Sequence, residues 1–277
     1  MQSKIGTKNY SRTARKYEDD SRITHRNYNK GEGNRDVYKE EEVQSEDDVG
    51  PDVLKEEILA AIAEMKNNKA EGIDSIPIEM IKNFGEKAMK ELVQLCKDIY
   101  NTGVWPEDFL QTIMVPIKKK PNANNMRRPQ NYFPTKTHAS KIVLRVITKR
   151  MQSRAETNDC LGEDQYGFRK GRGTRDAIGA LRVLTERSIQ HGQDIYICFV
   201  DYEKAFDRVD WKKLMHALRR IGVDWKDRRL IGNLYMGQKV RIKIEEEFSG
   251  SEVLDRGIRQ RCPLSPILFN IYIEELI

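Results

Sequence analysis

The residue that most clearly invites chemistry is Asp201, which directly follows an unbroken apolar run. Residues 195–200 read Ile-Tyr-Ile-Cys-Phe-Val, a short β-branched and aromatic run that is typical of a buried strand rather than a helix. A carboxylate at the end of such a strand costs free energy unless it is paired or coordinates a metal. The alternative interpretation is that Asp201 is a solvated strand end or caps the next turn.

Two stretches of the sequence are basic, and one of them has the composition of a phosphate-binding loop. Lys118, Lys119 and Lys120 follow a predicted strand, and the segment Gly-Phe-Arg-Lys-Gly-Arg-Gly-Thr places Arg169 and Arg172 just before a helix. Backbone N–H groups at a helix start and flanking Arg side chains suit an anion, so Arg169 and Arg172 are predicted to contact phosphate or a nucleic-acid template. A solvated lysine turn and a capped turn remain the alternatives.

The elements that must position these residues are predicted from hydrophobic periodicity and turn signals. The predicted strands are 112–117 and 195–200, with a hairpin over 239–254. The predicted helices are 51–69, 77–100, 139–155, 174–192 with Thr174 as N-cap, 211–222, 224–235 and 265–277. In the first helix, Val53, Leu54, Ile58, Ala61, Ile62 and Met65 form one apolar face. A strand isolated among helices, followed by a hairpin, indicates an α+β fold.

Composition separates a charged tail from a folded region. The chain has 277 residues, a net charge of +6 and 38% hydrophobic residues. Residues 1–50 carry segregated charge and no periodicity, so they are predicted to be a disordered tail. They hold 10 of the 49 Lys and Arg and 11 of the 43 Asp and Glu, which leaves the positive excess in residues 51–277.

The sequence has few features that indicate membrane insertion, secretion or disulfide formation. No apolar run approaches the roughly 20 residues of a membrane span, and the N-terminus does not resemble a signal peptide. The four cysteines are far apart in the sequence, which predicts reduced thiols in a nuclear or cytoplasmic protein.

Several segments together resemble one family. Residues 199–211 (FVDYEKAFDRVDW) and 256–270 (RGIRQRCPLSPILFN) resemble two core motifs of the reverse transcriptases of non-LTR, LINE-type retrotransposons. The segments GVWPEDFLQTIMVPIKKK, SKIVLRVITKRM and QYGFRKGRGTRDAI resemble those that precede these motifs in the family. The resemblance implies a right-hand polymerase fold in which residues 51–277 form the fingers and the first part of the palm.

The resemblance also implies a chemistry for Asp201. In two-metal nucleotidyl transfer, Mg²⁺ ions activate the attacking hydroxyl and take up charge on the leaving group, and such hard cations prefer oxygen ligands. Asp201 matches the first metal-binding Asp of the family, and the carbonyl of Tyr202 would add a ligand. The implied partners are an RNA template, a DNA primer and a dNTP, with no membrane.

Further residues match the family's nucleotide pocket. Phe206 falls where a ring under the incoming sugar excludes a 2′-OH. Gln260 matches a residue that contacts the incoming nucleotide. Lys118 and Lys119 lie where the family holds the triphosphate. The alternatives are a core Phe, a polar loop and a solvated turn.

Three departures from the family pattern predict a truncated and decayed copy. No aromatic-Ala-Asp-Asp motif follows position 270, and no thumb is expected. Phe133 stands in place of an Arg, and Arg261 in place of a Gly. Two hypotheses follow: a fragment of an RNA-directed DNA polymerase that is inactive alone, or a non-catalytic nucleic-acid-binding remnant or accessory protein.

Overall fold

A computed structural model describes residues 49–69, 71–72, 74–116, 132–135, 137–244 and 247–274. The predicted disordered tail, apart from its last two residues, lies outside this range, and so do Lys118 and Lys119. The helices are α1 (Lys55–Ala63), α2 (Ile78–Lys82), α3 (Glu86–Thr102), α4 (Glu107–Leu110), α5 (His138–Thr157), α6 (Thr174–His191), α7 (Trp211–Arg220), α8 (Trp225–Met236) and α9 (Ser265–Glu274), with a 3₁₀ turn over Ala205–Arg208. The strands are β1 (Gln111–Pro116), β2 (Tyr132–Thr135), β3 (Lys239–Ile244), β4 (Glu247–Phe248) and β5 (Glu252–Val253).

The core is built by helices packed around α5. This helix contacts α1, α3 and α9, while α8 bridges α3 and α7, and α7 packs against α9. The apolar faces of these helices meet in one buried cluster, as expected when amphipathic helices bury one stripe each. Its largest fully buried side chains include Tyr100, Tyr235, Ile142, Leu144, Met151, Leu218 and Leu230. The observed architecture is a mixed helix and sheet fold.

The five strands form one sheet in which β1 lies between β2 and β3. β1 pairs antiparallel with β2 and parallel with β3. β4 and β5 both pair antiparallel with β3, so the predicted hairpin is confirmed. The parallel partner of β1 lies more than 120 residues later in the chain, and sequence periodicity does not report such long-range pairing.

The helices differ from the predictions in how one is divided, how one is capped and which residues of one are buried. The helix predicted over 77–100 is two helices, α2 and α3, and Gly85 is the N-cap of the second. Thr174 is the first helical residue and not the cap, since Gly173 takes that position and donates its N–H to the Asp176 carboxylate over 2.7 Å. The predicted apolar face of α1 is buried except for Leu54, which lies before the first turn.

The strand predicted over residues 195–200 is not formed. Residues 193–200 have no regular secondary structure, and Tyr196 and Phe199 are 92% and 82% exposed. The preceding helix α6 has no buried residue. A strand needs a neighbour to accept and donate its backbone hydrogen bonds, and no described segment pairs with this run. Asp201 therefore does not lie at a buried strand end.

The remaining sequence expectations concern cysteines and membrane spans. All four cysteines are free, with Cys96 and Cys262 buried. Among the described residues, no helix combines the length and apolar character that crossing a bilayer requires.

Candidate active site

The two motif segments, residues 199–211 and 256–270, contact each other in the structure. The Gly257 N–H donates to the carbonyl of Val209 over 2.8 Å, and the Ile258 N–H donates to the carbonyl of Phe206 over 2.9 Å. The Trp211 indole N–H donates to the Gly257 carbonyl over 2.8 Å. These contacts between segments about 50 residues apart fix the 3₁₀ turn against the loop that precedes α9.

The approach of the two segments depends on Gly257. Its φ is +88°, a conformation that L-residues with a Cβ rarely adopt. A Cβ built at this position would lie 3.0 Å from the carbonyl oxygen of Asp207 and 3.1 Å from its Cα. Because both of those atoms belong to the backbone, they could not move aside without displacing the turn.

Side chains add a second set of contacts between the segments. The Gln260 amide donates to the Asp207 carboxylate over 3.1 Å. The Phe206 ring packs edge-on against Phe269, with 4.9 Å between ring centroids, and lies 6.0 Å from the Phe168 ring. Phe206 and Gln260 are therefore brought to one site, together with a loop from the Gly-rich segment.

Asp201 and Tyr202 precede the 3₁₀ turn in the chain by four and three residues. Both are exposed, and they precede a turn in which Lys204 adopts a φ of +53°. Within the described part of the chain, no three or more His, Cys, Asp or Glu side chains cluster so that they could hold a metal ion. Asp207, another acid of the motif, is engaged by Gln260.

The basic loop before α6 is held by contacts within the protein. Arg169 donates to the carbonyls of Leu161 and Gly162 over 3.1 and 2.7 Å. Arg172 donates to the carbonyl of Glu163 and pairs with its carboxylate over 2.5 Å. The two arginines predicted to bind template therefore shape their own loop, and the prediction of a template contact stays untested.

The same loop is docked on α9. Gln165 donates to the Asn270 side-chain oxygen over 3.0 Å, and Asn270 donates to the Gly167 carbonyl over 2.9 Å. Farther along α9, the Glu274 carboxylate accepts the Gly162 N–H over 3.1 Å. Asn270 is fully buried, so it fixes the position of the Gly-rich segment relative to the Gln260 loop.

Sequence reasoning missed Arg259, the buried residue that anchors the Gln260 loop. It is 4% exposed, and its guanidinium donates to the Gln238 side-chain oxygen over 2.6 Å and to the carbonyls of Phe109, Leu110 and Leu234 over 3.2 to 3.4 Å. Those carbonyls lie at the C-terminal ends of α4 and α8, where the helix macrodipole favours a cation. Burial lowers the pKa of Arg259. Arg259 lies in a loop between Ile258 and Gln260, and no hydrophobic periodicity in this part of the sequence indicates that it is buried.

The two residues that depart from the family pattern lie in different surroundings. Arg261 is exposed and has a φ of +57°, so the backbone there takes the left-handed conformation that Gly adopts at no cost. The backbone of Phe133 is in β2, opposite Val115.

Comparison with known proteins assigns the class. Residues 117–277 match the family model "Reverse transcriptase (RNA-dependent DNA polymerase)", and this match spans more than half of the chain, so the protein belongs to the reverse transcriptase family. Its relatives are RNA-directed DNA polymerases of non-LTR retrotransposons, which confirms the family inferred from the motifs.

The individual relatives are similar over most of this chain. It is 25% identical to the transposon TX1 uncharacterized 149 kDa protein of Xenopus laevis over 79% of the chain. It is 23% identical to the RNA-directed DNA polymerase from mobile element jockey of Drosophila funebris over 81%, and 25% identical to the probable RNA-directed DNA polymerase from transposon BS of Drosophila melanogaster over 80%. The matched region spans 16% of the first relative and 24% of each of the other two.

Proposed function

We propose that residues 51–277 supply the fingers and the first part of the palm of an RNA-directed DNA polymerase from a non-LTR retrotransposon. In this proposal Asp201 is the first metal-binding carboxylate, with the Tyr202 carbonyl beside it. Phe206 excludes the 2′-OH of a ribonucleotide, and Gln260 contacts the incoming dNTP. Lys118 and Lys119 hold the triphosphate, while Arg169 and Arg172 lie along the template.

The observation that carries the proposal is the contact between the two motif segments. Hydrogen bonds from Gly257 and Ile258 to Val209 and Phe206 bring the Phe206 ring and the Gln260 side-chain amide to one site. Each of these side chains alone has a structural explanation, since Phe206 packs against the core cluster. Their convergence on a turn that follows the exposed Asp201 in the chain supports a nucleotide site, because nucleotide transfer depends mainly on positioning and electrostatics.

As a separate polypeptide, the chain of 277 residues does not polymerise in this proposal. Its sequence contains no aromatic-Ala-Asp-Asp motif. The family generally uses divalent metal ions, so Mg²⁺ belongs to the complete enzyme. The test is primer extension with primed RNA, dNTPs and Mg²⁺, where the chain and its Asp201→Ala variant should both give background. Extension that depends on Asp201 would refute the proposal of inactivity.

The second candidate function is a nucleic-acid-binding remnant or accessory protein without catalysis. It is favoured by the net charge of +6 and by the use of Arg169 and Arg172 within their own loop. The two functions separate in a chimera that joins this chain to the acidic motif and thumb of a related polymerase. A polymerase fragment should then extend a primer, whereas a decayed remnant should bind RNA and not extend. A nuclear or cytoplasmic location fits either function.

A further inference from the structure

The outward face of α7 is uniformly basic. The helix buries Trp211, Leu214, Met215, Ala217 and Leu218 against the core. The side chains left on its exposed face are Lys212, Lys213, His216, Arg219 and Arg220. The apolar side fixes the helix, so the cationic side chains are presented on a rigid element of about 15 Å.

The lysines in the first turn are not explained by helix stability. The positive end of the macrodipole lies at the helix N-terminus, where cations are unfavourable, and the negative end lies at the C-terminus, where they are favourable. Arg219 and Arg220 in the last turn therefore stabilise the helix. Lys212 and Lys213 in the first turn weaken it, and they repel the other cations of the same face.

Ion pairing does not explain these residues either. Elsewhere in the fold, basic side chains hold elements together: Arg150 binds Glu57 over 2.8 Å, Arg154 binds Asp224 over 2.6 Å, and Lys226 binds Asp52 over 2.5 Å. Within the described parts of the chain, by contrast, Lys212, Lys213 and Arg219 form no ion pair. The described residues therefore do not neutralise the charge of Lys212, Lys213 and Arg219.

The chemistry of this face favours a phosphodiester backbone over an acidic protein surface. Protein interfaces are enriched in aromatic side chains and Arg and depleted in Lys, and the exposed face of α7 has no aromatic or aliphatic side chain. Phosphate contacts, by contrast, are made by Lys and Arg and require no apolar anchor. One strand of a duplex presents a phosphate about every 3.4 Å along its axis, so several phosphates fall along the length of α7.

We propose that the exposed face of α7, formed by Lys212, Lys213 and Arg219, is a nucleic-acid-binding surface whose residues are not among those of the candidate active site. It contacts backbone phosphates of RNA or DNA and does not read base sequence. Its role is to hold a polynucleotide on the outside of the fold, and it operates whether or not the chain takes part in polymerisation.

The test is fluorescence anisotropy with labelled single-stranded RNA, single-stranded DNA and duplex, using the full chain fused to a soluble carrier protein. The variant carries Lys212→Gln, Lys213→Gln and Arg219→Gln. The matched control carries Lys55→Gln, Lys87→Gln and Lys90→Gln, which removes the same charge from exposed positions on α1 and α3. On single strands each lost phosphate contact should flatten the log–log salt dependence by about 0.7.

The α7 variant should therefore have a slope that is shallower by about 2, while the control keeps the original slope. Between roughly 50 and 200 mM salt, the unchanged protein should lose about fifteenfold more affinity than the α7 variant. Lys212→Arg with Lys213→Arg retains the charge and should bind as the unchanged protein does.

Three results would overturn the proposal. The first is an equal loss in the α7 variant and the control, which would mean that only net charge matters. The second is tighter binding to poly-glutamate than to RNA at equal salt, which would assign the surface to an acidic protein. The third is α7-dependent RNA binding only after removal of residues 1–48, which would assign the surface to the acidic stretch at 40–48. If a chimera fails to extend a primer while RNA binding by α7 is intact, the proposed polymerase function is wrong and the proposal for α7 stands.

Discussion

Replacement of Asp227 by Asn should make the stability of the protein less dependent on pH. Asp227 is 1% exposed, and no described group hydrogen-bonds to its Oδ1. Burial raises the pKa of this carboxyl from 3.8 to about 6, against the opposing effects of the Arg150 guanidinium and of the hydrogen bond with Tyr100. Asp224 adds to the rise and Arg154 opposes it.

The sign follows from proton linkage. Because the pKa of Asp227 is higher in the folded protein than in the unfolded chain, the folded state binds this proton more tightly. The resulting stabilisation is complete below the unfolded value and is lost as the pH rises through about 6. A shift of this size corresponds to about 3 kcal/mol in total, and about half of it falls between pH 5 and pH 8.

The assay is urea unfolding of the original protein and of Asp227→Asn at pH 5 and pH 8. The Asn variant cannot ionise, so its free energy of unfolding relative to the original should rise by about 1 to 2 kcal/mol between these pH values. Tyr100→Phe removes a hydrogen bond that lowers the pKa of Asp227, so it should steepen the pH dependence, and only while Asp227 is present. A difference between Asp227 and Asn that is the same at both pH values would refute the reasoning.

Three other substitutions test other parts of the fold. Gly257→Ala should lower the free energy of unfolding by about 1 to 3 kcal/mol in urea titrations, because a Cβ meets the Asp207 backbone at a positive φ; an unchanged midpoint would contradict the contact. Arg261→Gly should raise the melting temperature, because an L-residue in the left-handed conformation costs about 1–2 kcal/mol, and the additional chain entropy that Gly loses on folding offsets only part of this gain; a lower melting temperature would count against strain. Tyr196→Ser with Phe199→Ser should reduce binding of a dye specific for exposed apolar surface, because both rings are exposed; undiminished fluorescence would place the dye elsewhere.

The helical part of the fold was predictable because its signals are local. The faces of α1, α5, α7 and α8 follow from apolar spacing, and the structure buries them. The sheet was harder to predict from the sequence, since the parallel pairing of Gln111 with Lys239 joins segments that are far apart in the chain. Residues 195–200 have every local property of a strand, yet a strand forms only with a partner, and periodicity cannot supply one.

Residues of the candidate site were predictable from the sequence only where they belong to a motif and have a side chain of recognisable chemistry. Phe206 and Gln260 were identified as site residues, and the structure brings them together. Arg259 and Asn270 were missed because a buried Arg or Asn is recognisable only from the carbonyls and amides around it. Arg169 and Arg172 were interpreted as ligands for phosphate, whereas their nearest acceptors are backbone carbonyls and Glu163.

The most direct test of the proposed nucleotide site is primer extension by a chimera. The chain is extended with the acidic motif and thumb of a matched polymerase such as the jockey protein, and Arg261→Gly and Phe133→Arg are introduced to restore the family pattern. Extension with dNTPs should then depend on Asp201, and Phe206→Ala should admit rNTPs while it retains dNTP incorporation. Extension that persists in Asp201→Ala, or sugar selectivity that is intact in Phe206→Ala, would contradict the roles proposed for these residues.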